Sequence, residues 1–258
     1  MSLKSSWYPV RQLLRSGIDL CFPPLCPGCE KVASPVTRTG RVAEPIPLCL
    51  QCQQDLAPSK PHRCPRCSAP VGPHAQTDSG CPYCRQDRYR FDRVLSLGVY
   101  EEKLRGAILA GKKSEGQPLI TALTEILWQR EREQIQTFDP EVIIAVPRHW
   151  SKELQHLDYA PHSMARVLGK RMNIPVCTNW LKRSARRKDQ VKLKATERRI
   201  NLKGAFRTKI PAGRTPSRVL LVDDVLTTGA TANESAATLK KADVQQVLVA
   251  VLARGLGT

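Results

Sequence analysis

Eight of the ten cysteines fall into four Cys-x-x-Cys pairs: Cys26/Cys29, Cys49/Cys52, Cys64/Cys67 and Cys81/Cys84. Each pair presents two sulfurs on one side of a tight knuckle, and two knuckles complete the tetrahedral four-thiolate shell that Zn²⁺ accepts. Nineteen residues separate Cys29 from Cys49 and thirteen separate Cys67 from Cys81, so each loop is long enough to return. Joining neighbouring pairs closes two sites with short excursions; a cross-braced pairing would use the same ligands. Four cysteines leave a metal no open position for water or substrate, so both zincs are expected to be structural. A redox Cys-x-x-Cys would stand as one pair beside a βαβ unit, not as four pairs in a proline-rich segment. His62 and His74 read as exposed loop residues, and the unpaired Cys21 and Cys177 as small buried hydrophobes.

A second run with chemical content is Val219-Leu220-Leu221-Val222-Asp223-Asp224-Val225-Leu226-Thr227-Thr228-Gly229-Ala230-Thr231. An apolar strand here delivers two consecutive carboxylates at its carboxyl end, the end at which open α/β sheets bind ligands. The Thr/Gly-rich turn that follows opens a helix. Its backbone N–H groups, the hydroxyls of Thr227, Thr228 and Thr231 and the helix dipole suit a phosphate, with Gly229 permitting close approach and Ala230 in the same turn. Asp223 and Asp224, one step away, suit the vicinal hydroxyls of a sugar. The ligand implied is a phosphorylated ribose, whereas a ligand-free helix cap would need one such polar residue, not two acids with three threonines.

These sites need a scaffold, and the texture of the chain supplies one from about residue 93. Apolar runs read as strands over 94–100, 142–146, 219–222 and 247–252. Helical spacing covers 102–111, 119–137 with Leu119, Ile120, Leu123, Ile126 and Leu127 on one face, 162–172, and 232–241. Strand alternating with helix makes an α/β fold with an open, mostly parallel sheet, preceded by a small zinc-ribbon domain. The expected division is an amino-terminal helix or extension over 1–20, a double zinc ribbon over 21–90 and the α/β domain over 91–258. The ribbon portion has little hydrophobic periodicity, so metal binding is expected to supply its folding free energy, about 10 kcal/mol or more per site.

The 258 residues carry Lys+Arg 41 against Asp+Glu 23, a formal net charge of +18, with a near-average hydrophobic content of 41%. That composition argues against wholesale disorder. Arg11, Arg15 and Asp19 interrupt the stretch where a secretory signal would need an apolar core, and no apolar run approaches the roughly 20 residues that span a bilayer. The expectation is a cytoplasmic protein without membrane insertion. Residues 181–209 hold twelve Lys or Arg against two acids. A phosphate polymer would feel this as a patch whose binding weakens steeply with salt, through residues such as Arg186, Arg187, Lys188, Lys192, Lys194, Arg198 and Arg199. A basic loop that attracts a small anionic ligand uses the same charges. Trp180 and Phe206 only flank the run, so backbone contact is more natural than base stacking.

The stretch 219–231 resembles the binding signature of type I phosphoribosyltransferases, which recognise 5-phosphoribosyl 1-diphosphate (PRPP) with Mg²⁺. A wider likeness joins four features: the cysteine pairs; Asp19-Leu20-Cys21-Phe22-Pro23-Pro24; Gln190-Val191-Lys192-Leu193; and Glu197 through Phe206. With the Asp223-Asp224 loop, the chain resembles the ComF family, in which a zinc ribbon precedes a phosphoribosyltransferase-like domain and which is associated with DNA uptake in natural transformation. The resemblance implies two structural zincs, PRPP with Mg²⁺ at Asp223, Asp224 and 227–231, and a role with single-stranded DNA and other DNA-uptake proteins. Arg148, after the strand at 142–146, and Lys112 and Lys113, after the first helix, become candidate diphosphate contacts. Where the family usually carries Arg-Gly-aromatic-Asn-Gln, this chain has Leu157-Asp158-Tyr159-Ala160-Pro161, so the contacts of that run do not carry over. Purine-type transferases commonly place an Asp at the position of Thr227; no catalytic residue is therefore assigned. A transferase with a small-molecule acceptor and a zinc-ribbon adaptor with a non-catalytic second domain stand beside the DNA-handling reading. Metal analysis of the purified protein should find two zinc ions per chain, which a strong chelator removes while melting the ribbon portion alone; metal-free protein with native circular dichroism would refute this.

Overall fold

The computed structural model describes residues 23–32, 46–58, 62–147, 159–184 and 202–256. The expected extension over 1–20 lies outside them. In chain order the elements are α1 (Leu50–Leu56), β1 (Arg93–Val99), α2 (Glu102–Gly111), α3 (Gln117–Phe138), β2 (Val142–Ala145), α4 (Ala160–Met172), β3 (Leu181–Arg183), β4 (Phe206–Thr208), β5 (Arg218–Leu226), α5 (Ala230–Lys240) and β6 (Gln246–Arg254). Among the described residues no helix is long and apolar enough to cross a membrane.

β1, β6, β5 and β2 lie side by side in that order, all parallel, with Leu95 opposite Ala250, Leu221 opposite Val249 and Ala145 opposite Val222. A sheet buried on both faces needs strands apolar at every position, and Val219 to Val222 and Val247 to Ala253 are all buried. Successive side chains alternate between faces. Leu220, Val222, Leu248 and Ala250 join the core under α2, α3 and α4, while Val219, Leu221, Val247 and Val249 join the core under α5.

The connection after β2 thus covers one face and the connection after β5 covers the other, although β2 and β5 are neighbours. Chains that leave adjacent strands in opposite directions open a crevice at the carboxyl ends of those strands. β2 ends at Ala145, opposite Val222, while β5 continues beside β6 until Leu226 faces Arg254. The strand therefore runs further than the expected 219–222: β6 supplies ladder partners past the point where β2 stops. Asp223 and Asp224 stand in this overhang.

Three short elements escape the sequence reading: α1, β3 and β4. β3 and β4 form an antiparallel pair with Lys182 opposite Arg207, a basic ladder too short to show periodicity. It brings the two ends of the basic stretch together, while 185–201 lie outside the described residues. The ribbon segment is also less separate than expected. Leu48, Cys52, Leu56 and Ala57 belong to the same buried cluster as Leu220 and Leu248, so this part borrows a core from the sheet, and loss of its metal should be felt there too.

α2 and α3 fold back on each other through a close approach of glycines. A Cβ on Gly116 would fall within 3.0 Å of the Ala110 carbonyl and the Gly111 backbone, whereas one on Gly106, midway along α2, would meet nothing within 4 Å. Backbone cannot rotate away, so Gly116→Ala should cost about 1–3 kcal/mol. Gly106→Ala should instead stabilise by about 0.5–1 kcal/mol, because it relieves the entropic cost of a helical glycine. Urea-denaturation midpoints of the two variants, moving in opposite directions, check the packing.

Candidate functional site

The eight paired cysteines gather into two clusters, Cys26/Cys29/Cys49/Cys52 and Cys64/Cys67/Cys81/Cys84, with the sulfurs of each within 4.8 Å of one another. Neighbouring pairs are joined, and the cross-braced alternative is not seen. Sulfurs at the corners of a tetrahedron about 2.3 Å from zinc lie about 3.8 Å apart. Cys29 and Cys49 are separated by 3.8 Å, Cys64 and Cys84 by 3.8 Å, and Cys67 and Cys81 by 3.5 Å. The donor set therefore fits Zn²⁺ and leaves no open ligand position. His62 and His74 are exposed, as expected, and Cys177 is half-buried; Cys21 lies outside the described residues.

Both sites open with the same knuckle. The N–H of Cys26 donates to Lys31 O and that of Cys64 to Ala69 O, each at 2.8 Å, and each turn passes through a left-handed residue, Glu30 (φ 59°) or Ser68 (φ 60°). This curl aims N–H groups at the first sulfur. For Cys26 and Cys64, burial would raise the thiol pKa, but surrounding N–H donors outweigh it and bring each down to about 7. Burial holds Cys52 and Cys67 above the ordinary thiol value and raises Cys84 to about 11. Each cluster thus has one sulfur prepared as a thiolate and others for which a cation would offset the desolvation.

The ribbons dock differently. The first packs on α2 and α3, where Asp55 pairs with Lys103 at 3.0 Å and Arg130 donates to the Pro58 and Ala57 carbonyls. The second is clamped to β1 by Arg63, which donates to Ser96 O at 2.6 Å and Leu97 O at 3.0 Å. β1 is an edge strand of the sheet, so its outer side is open to such a clamp.

At the crevice, Asp223 and Asp224 are both half-buried. The Asp224 N–H donates to Asp223 Oδ1 at 2.9 Å and the Val225 N–H to Asp224 Oδ1 at 2.7 Å. Burial, reinforced by the charge of Asp224, pushes the Asp223 carboxyl well above its usual range. Lys112, the residue that caps α2, reaches across with its Nζ 2.6 Å from Asp224 Oδ2. It is therefore brought to the acid pair, while Lys113 is exposed beyond it.

The turn after β5 closes a small cavity lined by Asp223, Leu226, Thr227, Thr228, Gly229, Ala230, Thr231 and, from the end of the basic stretch, Leu202. Gly229 is left-handed (φ 74°) and precedes α5 with no side-chain cap; among the described residues Thr228 Oγ1 takes the Ala230 N–H at 3.3 Å. Uncapped N–H groups at a helix start are anion donors. Arg148 and the seven candidate basic residues from Arg186 to Arg199 lie outside the described residues. Phe206 is buried in the core under α5, and Trp180 packs partly buried against the same cluster.

Sequence reasoning missed two supports. Arg254, buried at the end of β6, donates to the carbonyls of Leu226, Thr227 and Gly255 and so pins the start of the turn. A charged residue closing an apolar strand was the available signal. Tyr89 packs against Gly229 from the far end of the second ribbon, and no local pattern announces it.

Residues 17–87 match the Double zinc ribbon domain family and residues 163–258 the Phosphoribosyl transferase domain family. Competence protein F of Haemophilus influenzae is 33% identical over 215 residues, 80% of this chain and 90% of the relative. DNA utilization protein YhgH of Escherichia coli O6:H1 is 30% identical over 247 residues, 92% and 96% of the two chains. Among solved structures, glutamine PRPP amidotransferase from B. subtilis aligns at 16% identity and TM-score 0.37 over 56% of this chain and 30% of that one. Orotate phosphoribosyltransferase from Aeropyrum pernix aligns at 16% and 0.33 over 60% and 75%.

A carboxyl whose folded pKa is raised costs stability that accumulates as pH climbs from its unfolded pKa toward its folded one and is fully lost above the latter. Asp223→Asn should therefore raise the thermal midpoint at neutral pH, with the gap closing on acidification into the ordinary carboxylate range, where Asp223 of the unfolded chain is protonated too. Differential scanning fluorimetry across pH measures this; a variant less stable than the parent at neutral pH would contradict it.

Proposed function

Because the chain belongs to the ComF family, with Competence protein F and YhgH among its members, we propose that it is a cytoplasmic PRPP-binding protein that handles single-stranded DNA during DNA uptake. In this reading 21–90 form the ribbon domain and 91–258 the phosphoribosyltransferase-like domain. The supporting observation is the placement of Asp223 and Asp224 in the overhang of β5, beside a left-handed glycine and an uncapped helix start.

Each residue has a role that follows from its chemistry. The N–H groups of 228–231 and the Thr227, Thr228 and Thr231 hydroxyls hold the 5-phosphate. Asp223 and Asp224 accept hydrogen bonds from the ribose hydroxyls, and a ligand hydroxyl or cation there offsets the desolvation that raises Asp223. Lys112 is close enough to exchange Asp224 for the diphosphate, acting as a point charge. Asp223 and Asp224 offer hard oxygen donors compatible with Mg²⁺, which supplies charge neutralisation when bound with PRPP. DNA is assigned to the basic stretch 181–209, within which Leu202 lines the phosphate cavity, so polymer and sugar phosphate share one field.

Calorimetry with PRPP and Mg²⁺ should register binding that the double variant Asp223→Ala/Asp224→Ala weakens at least tenfold; unchanged affinity rejects the site. Titration with a single-stranded oligonucleotide should show affinity falling steeply with salt and reduced by neutralising Arg186, Arg187 and Lys188. Diphosphate release in a screen of nucleobases and amines, without DNA binding, would favour the small-molecule transferase.

A further inference from the structure

The two four-cysteine clusters are unequal neighbours of the phosphate loop. The first touches α2 and α3. The second reaches the loop by two routes. Arg66, inside the Cys64–Cys67 knuckle, donates to Cys84 O at 3.1 Å and to Asp87 O, and its guanidinium lies 5.3 Å from the centre of the Tyr89 ring. Tyr89 is fixed on its other sides by Phe91, stacked at 4.4 Å, and by its hydroxyl, which donates to Asp87 Oδ2 at 2.6 Å. Its ring lies against Gly229, where an added Cβ would sit 3.1 Å from Cε1. The second route runs through the carboxyl-terminal strand. Leu256 packs on the second cysteine cluster, and next to it Gly255 donates to Leu226 O at 2.8 Å while leaving room for Thr227.

Gly229 must hold a left-handed conformation for the N–H groups of α5 to converge on an anion. A rigid ring against it limits how that turn can move, and the ring's own position depends on a knuckle that metal closes. We propose that Tyr89 is a positioning residue through which the second zinc site and the phosphate loop are coupled: occupancy of either favours the other, and the first zinc site takes no part. This rests on the reading of 227–231 as a phosphate-binding loop. By linkage the effect is reciprocal, so a loop ligand must slow metal loss from the second site.

The test uses the full-length zinc-loaded protein treated with a thiol-alkylating reagent, with and without PRPP and Mg²⁺. A zinc-selective chromogenic reporter follows release, and peptide mass spectrometry separates Cys64/Cys67/Cys81/Cys84 from Cys26/Cys29/Cys49/Cys52. PRPP should protect the second set at least about fivefold, the lower end of ordinary coupling, and leave the first set within twofold. Tyr89→Ala, checked for two zincs per chain, should lose the selective protection and bind PRPP more weakly. Tyr89→Phe, which keeps the ring on Gly229, should retain both. Equal protection of the two sets is general ligand stabilisation and overturns the coupling, as does calorimetric binding of PRPP with no protection. The wild-type comparison decides the matter even if Tyr89→Ala does not fold. Absence of any heat of PRPP binding sinks the phosphate-loop reading, and this coupling with it.

Discussion

Two adjacent carboxylates held half-buried at the open end of a parallel sheet are costly, and the arrangement around Asp223 and Asp224 answers that cost. β2 stops short so that the acids face a crevice and not a neighbouring strand. The α2–α3 hairpin, tightened by Gly111 and Gly116, ends with Lys112 against Asp224. The turn after β5 offers uncapped N–H groups one step further on. The Asp223 carboxyl nevertheless stays displaced upward, through its burial and the charge of Asp224.

The zinc ribbons solve a different problem. Their segment is rich in proline and poor in periodic apolar residues, so metal–thiolate bonds supplement the core that it borrows from the sheet. Duplication of one knuckle, down to the left-handed residue at Glu30 and Ser68, produces two sites of similar chemistry. Their docking separates them: the first shares the buried cluster beneath α2 and α3, while the second lies between the edge of β1 and the turn after β5. Arg63 and Arg66, two basic residues that flank or occupy one knuckle, direct the second ribbon to backbone carbonyls of the sheet and to Tyr89.

Local patterns survived the passage to three dimensions wherever they reflect a repeating physical constraint. The α/β strands are continuous apolar runs because both faces of the sheet are covered, and the helices show their buried stripe. The cysteine pairs and the acid–threonine–glycine run are equally local, since ligand spacing and turn geometry are set over a few residues. β3 and β4 were not legible, because three residues such as Leu181-Lys182-Arg183 carry no period and are held by a partner more than twenty positions away.

The sequence by itself determined the α/β class, the eight metal ligands and the acid–threonine–glycine turn after the third strand of the expected sheet, because each depends on residue types within one short segment. Only the tertiary structure decided that neighbouring cysteine pairs join, that Lys112 rather than Lys113 meets Asp224, and that Tyr89 and Arg254 support the turn. Those facts depend on which segments the sheet brings together. Tyr89 and Gly229 touch because the second ribbon lies beside the carboxyl ends of the strands, a consequence of strand order and docking that no spacing along the chain encodes.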